Sequence, residues 1–158
     1  MYNTSIEQHI KENGEYIITP VGVSMWPLLR NRRDTVYVEK YTGTLDKYDI
    51  VVFRRNKEKI IMHRCIGIEN DTYIMCGDNE FRKERGIKKE QIIAVAKGIY
   101  RDEKYIPCTN RVYRLLVRIW CLNLFARRCI LFILRRTKPY KKVFNQLMSE
   151  SKLKGKNI

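Results

Sequence analysis

Lys59-Ile60-Ile61-Met62-His63-Arg64-Cys65-Ile66-Gly67-Ile68 is the stretch from which the fold is read. Four of its ten residues are isoleucine, and this β-branched richness predicts a strand. With a side-chain period of two, Ile61, His63 and Cys65 share one face, and Met62, Arg64 and Ile66 share the other. An imidazole is thereby held rigidly within an apolar strand. Such a histidine is commonly a satisfied core residue; it is also where a general base would be fixed.

Similar signals lie on both sides: Thr35 to Glu39, Asp49 to Arg54, Thr72 to Cys76 and Ile92 to Tyr100, each rich in Val, Ile or Tyr. Turns containing Gly, Asn or Asp separate several of them, which predicts a mainly β fold, an antiparallel, coiled or barrel-like domain. Before it, Thr4 or Ser5 is expected to cap a short helix through Ile6 and Ile10 that stops at Gly14. These first residues carry Glu7, Lys11 and Glu12 and no apolar run of signal-peptide length, so they are expected neither to cross nor to enter a membrane.

Three places can do chemistry. Gly22-Val23-Ser24-Met25-Trp26-Pro27 puts a serine at a constrained bend after the extended Tyr16-Ile17-Ile18; it fits a plain turn and an exposed nucleophile equally well. His63 is the candidate base, since the other histidine, His9, falls in the N-terminal helix. Gly77-Asp78-Asn79 is by itself a turn signal, and Asp78 could orient His63 only if that turn folds back beside it. Glu84 is a second acid nearby, and Lys59, on the His63 face, is the fallback base.

In this order the pieces resemble the boxes of the type I signal peptidases. Ser24-Met25-x-Pro27 is similar to their nucleophile box, and Lys47-Tyr48-Asp49-Ile50-Val51-Val52-Phe53 to their Gly-Asp-Ile-Val-Val-Phe box, with Tyr48 in the glycine's place. Met62-His63-Arg64-Cys65-Ile66-Gly67 resembles the base-bearing box, and Gly77-Asp78-Asn79 the final Gly-Asp-Asn box; the likeness spans residues 16–100. Histidine rather than lysine at the base position resembles the endoplasmic-reticulum and sporulation-type branch. The resemblance implies a signal-peptidase-like coiled β domain and a serine endopeptidase, with Ser24 as nucleophile, His63 as base, Asp78 as orienting acid and no metal or cofactor. It implies as substrate an extended segment of a protein or peptide, as in signal-peptide or leader-peptide processing. Glu84 stands where relatives carry a second Asp, and Gly22 where many have a Ser that helps bind the oxyanion. The N-terminal membrane anchor of that branch has no counterpart in the 23 mostly polar residues before Ser24. The self-cleaving repressor peptidases of the LexA type share the broader fold without an anchor, but use a Ser–Lys pair and a DNA-binding domain.

The net charge of +15 is concentrated at one end. Residues 1–110 hold 19 basic and 16 acidic residues; residues 111–158 hold 13 basic residues and the single acid Glu150. The domains expected are an N-terminal helix over 1–15, a peptidase domain over 16–108, and a basic amphipathic tail over 109–158. Within Arg111 to Arg136, at about 100° per residue, every arginine except Arg127 falls within a third of the helix circumference. A central arginine costs about 2.5–3.5 kcal/mol in a spanning helix. A helix lying in the membrane plane is therefore expected, with arginines on anionic lipid phosphate and Trp120, Phe125 and Phe132 below the headgroups. That places the protein peripherally on the cytoplasmic face of the membrane, or in the cytoplasm. The alternative is a helix packed on the β domain. Pro139 is expected to end the helix, leaving a frayed Lys-rich stretch over Ser149 to Ile158.

Five cysteines without a paired spacing argue against a zinc site or a disulfide framework. Two other functions fit parts of the sequence: a non-catalytic peptide-binding module of the same fold on a membrane, and a basic nucleic-acid adaptor. The apolar content of the tail speaks against the second.

Overall fold

The computed structural model describes residues 2–55, 59–137, 140–142 and 145. The chain divides into two compact units, residues 1–122 and 123–158. Among the described residues the first unit is built on eight strands: β1 (Glu15–Ile18), β2 (Thr35–Lys40), β3 (Ile50–Arg55), β4 (Lys59–Glu69), β5 (Thr72–Cys76), β6 (Glu84–Ile87), β7 (Ile92–Arg101) and β8 (Lys104–Pro107). They form one antiparallel sheet in the order β1-β2-β7-β3-β4-β5-β6, with β8 on the edge of β7 that β3 leaves free.

The sheet is covered on both faces. Ile50 and Val52 of β3 point into one core with Val36, Val38, Ala94, Ala96, Ile99, Met25 and Leu29. Val51 and Phe53 point into a second with Cys65, Tyr73, Met75, Ile87 and Val95. This is why Ile50-Val51-Val52-Phe53 is an unbroken apolar run instead of an alternating one. Irregularities between Tyr37 and Val38, Val52 and Phe53, and Cys65 and Gly67 bend and twist the sheet around these cores.

Helix α1 spans Tyr2–Asn13 and lays Ile6 and the fully buried Ile10 on the first core. It begins before Thr4, so neither Thr4 nor Ser5 is its cap; it ends as expected at Gly14, whose N–H donates to Ile10 O at 2.9 Å.

The expected single helix over 111–136 is two: α2 (Arg111–Leu122) and α3 (Leu124–Leu134). Asn123 divides them because its Oδ1 accepts hydrogen bonds from the N–H groups of Phe125 and Ala126, the bonding of an N-cap. Helix α2 belongs to the same unit as the sheet: Val117 is buried and Tyr113 packs on the first core. Among the described residues no helix is long and apolar enough to cross a membrane. The expectations at Pro139 and over Ser149 to Ile158 lie outside the described residues.

Candidate active site

Ser24 lies in the loop between β1 and β2, pinned from beneath by the buried Met25 and Leu29. Gly22, at φ 132°, has a backbone that side-chain-bearing residues rarely adopt, and its N–H donates to Asn31 Oδ1 at 2.8 Å. A serine at this position, as in many of the resembled enzymes, does not suit that backbone. The loop closes on Asp34, wholly buried between Arg30 and Arg101. Burial works to raise the Asp34 carboxyl, but hydrogen bonds from Arg101 and Arg30 hold it below its ordinary range.

Three separate pieces of sequence meet at Gly77. The carbonyl of Ser24 accepts a 2.7 Å hydrogen bond from Asn79 N. A Cβ placed on Gly77 would come within 2.6 Å of that carbonyl and 3.1 Å of His63 Nε2. Gly77 is therefore a close-approach glycine, and it brings the serine loop against the histidine strand. Cys76 Sγ, 3.5 Å from the carbonyls of Gly77 and Glu80, braces the same turn.

His63 is only 2% exposed. Its Nδ1 lies 2.7 Å from Glu84 Oε1, and Arg55 grips the same carboxylate from its other side, Nε donating to Oε2 at 2.5 Å and Nη2 to Oε1. Burial pushes the Glu84 carboxyl up, but the Arg55 hydrogen bonds and the neighbouring His63 bring it below its usual range. An ionised carboxylate only accepts, so Nδ1 carries a proton, and in the neutral imidazole the free lone pair is that of Nε2, on the Gly77 side.

Asp78 does not orient His63. Its carboxylate accepts from Arg64 Nε at 2.8 Å and from Arg64 Nη2 at 2.7 Å, both residues being almost fully buried. Arg64 Nη1 also donates to Tyr48 O at 2.7 Å. Burial alone would favour the neutral guanidine, but the Asp78 carboxylate holds Arg64 well above its ordinary value.

The register explains the exchange of acids. Arg64 pairs with Cys76, so Asp78, two residues on, falls on the Arg64 face. Cys65 pairs with Met75 and Met75 with Glu84, which puts Glu84 on the face shared by Cys65 and His63. Arg55 reaches that face through its pairing with Lys59. Lys59 is itself exposed and about 13 Å along the strand from His63.

Glu80 was not signalled by the sequence, where it is one more residue after a turn. Its Oε1 is 3.7 Å from His63 Nε2, beyond hydrogen-bond range. Among the described residues His63, Glu80 and Glu84 are the group that could hold a metal, their ligand atoms lying within 4.8 Å of one another. A cation there would compete with Arg55, which already donates to both oxygens of Glu84.

Trp120 of α2 donates from Nε1 to Asp78 O at 3.1 Å, so the helix also braces the turn. It is thereby committed to the β domain, and not to the membrane position expected for it. A cavity of about 140 Å³ lies between α2 and the sheet, lined by Asp49, Arg64, Lys97, Tyr113 and Val117 among others. It lies on the Arg64 side and includes neither Ser24 nor His63.

Tyr48, in the glycine's place of the resembled box, has φ 81°, in the left-handed region that favours glycine. Neither the family models nor the curated proteins compared with the chain give a match.

Proposed function

We propose that this protein is a serine endopeptidase of signal-peptidase-like fold, with Ser24 as nucleophile, His63 as base and Glu84 as orienting acid. The observation that carries the proposal is the meeting at Gly77 of the Ser24 loop with Nε2 of a histidine whose Nδ1 is held by an ionised carboxylate. The order of boxes along residues 16–100 supports it independently.

His63 Nε2 takes the proton of the Ser24 hydroxyl as Oγ attacks the carbonyl carbon of the scissile bond. The imidazolium is stabilised by Glu84, and it returns the proton to the leaving amine as the tetrahedral intermediate collapses to an acyl-enzyme. Water, deprotonated by the same Nε2, then releases the acyl group and restores Ser24. The backbone N–H of Ser24 is the candidate oxyanion donor. The substrate is an extended peptide segment whose backbone runs beside a strand edge near Ser24.

Capture by a peptidyl boronate or a fluorophosphonate, followed by peptide mapping, tests the proposal. Modification of Ser24 that disappears in His63→Ala is the expected result. No modification of Ser24 speaks for a peptide-binding module without catalysis, and equal modification of Ser24 in His63→Ala removes His63 as its base in favour of Lys59.

A further inference from the structure

Helix α2 has three faces, and only two are accounted for. Tyr113, Val117 and Trp120 turn towards the β domain. Arg111, Arg114 and Arg118 form an exposed basic row on the adjoining arc. On the remaining arc, about 120° wide, lie Val112, Leu115, Leu116, Ile119 and Leu122, each more than half exposed. A run of five large aliphatic side chains at helical spacing, left in water beside a basic row, is an interaction surface.

The geometry points to this face of α2 docking on an anionic lipid surface, with the aliphatic arc among the acyl chains and the arginine row on phosphate. Charge favours lipid over the other occupants. Helix α2 contains no acidic residue. Two copies pressed together through this arc would bring their arginine rows into one neighbourhood, which is repulsive. Nucleic acid would meet the arginines but leave the aliphatic arc uncovered, with no aromatic platform on it for bases. A lipid interface satisfies both arcs at once. The arc also differs from the membrane contact expected from the sequence, because Trp120 stays on the protein.

The test is co-sedimentation of the full chain with vesicles of phosphatidylcholine containing phosphatidylglycerol, at low and high salt, beside pure phosphatidylcholine. The anionic vesicles are expected to bind it, with partial release at high salt. The double variant Leu116→Glu/Ile119→Glu, with unchanged circular dichroism, should bind at least about tenfold more weakly. Arg111→Gln/Arg118→Gln should bind more weakly and lose part of the salt dependence. Ser24→Ala should bind like the wild type, which keeps the outcome separate from the peptidase proposal. Unimpaired binding by the Leu116/Ile119 variant would overturn the inference. So would absence of vesicle binding, a self-association that this variant abolishes, or DNA binding as tight as vesicle binding.

Discussion

His63 Nδ1 and Glu84 Oε1 lie 2.7 Å apart, while Asp78, six residues before Glu84, is spent on Arg64. The two acids therefore have separable tasks, and their amide variants should fail in different ways. Glu84→Gln should fold and lose turnover by about 10⁴, the loss that amide replacement of an orienting acid produces. Asp78→Asn leaves the Arg64 charge buried without its counter-ion and should cost about 3–5 kcal/mol of stability. Peptide cleavage and chemical denaturation of both variants check this. A stable, inactive Asp78→Asn beside an active Glu84→Gln would return the orienting role to Asp78.

Gly77→Ala should be among the most damaging small changes. Its Cβ would sit 2.6 Å from the Ser24 carbonyl, so the serine loop or the turn must move and the Asn79–Ser24 hydrogen bond must stretch. Activity is expected to fall at least about 10²-fold, since misplacement of a reacting group by an ångström costs that much. Gly67→Ala, whose Cβ would meet only Ile74 Cδ1 at an ordinary 3.6 Å, is the control and should stay active.

Tyr48→Gly should be neutral or stabilising. The φ of 81° costs a tyrosine about 1–2 kcal/mol, offset in part by the extra freedom a glycine has when unfolded. Tyr48→Val should lower the melting temperature, because a β-branched side chain tolerates this backbone least. Thermal unfolding of the pair measures it.

The protein should lose stability in acid. Asp34 and Glu84 titrate below their ordinary 3.8 and 4.5 when folded. As pH falls below the usual carboxylate range the unfolded chain takes up these protons first, so stability present at neutral pH is lost there. Asp34→Asn should be less stable at neutral pH and show a flatter decline towards acid. Denaturation midpoints between neutral pH and about pH 3 check it.

Much of the sheet is legible in the sequence because a period of two and β-branched runs are local signals. β2 through β5 and β7 fall on the expected stretches. β6 and β8 do not, since Glu84-Arg85-Gly86-Ile87 and Lys104-Tyr105-Ile106-Pro107 are short, mostly polar or exposed, and defined by their partners. The face of His63 follows from its own strand, but its acid does not. Which carboxylate reaches it depends on the pairing of β5 with β4 and β6, a long-range register that spacing alone does not contain. The break at Asn123 lies outside what apolar spacing reports, which is why one helix over 111–136 is expected; a capping side chain inside the run sets it. The Trp120–Asp78 contact was not legible either, being a tertiary choice between two partners for an amphipathic helix.

The central claim is that Ser24 and His63 cleave peptides together, without a metal. The measurement that bears on it most directly is mass-spectrometric mapping of new N-termini in a peptide library, digested by wild type, Ser24→Ala and His63→Ala, with and without EDTA. New termini are expected from the wild type alone, in equal yield with EDTA present. Termini produced equally by Ser24→Ala, or lost on adding EDTA, would contradict it.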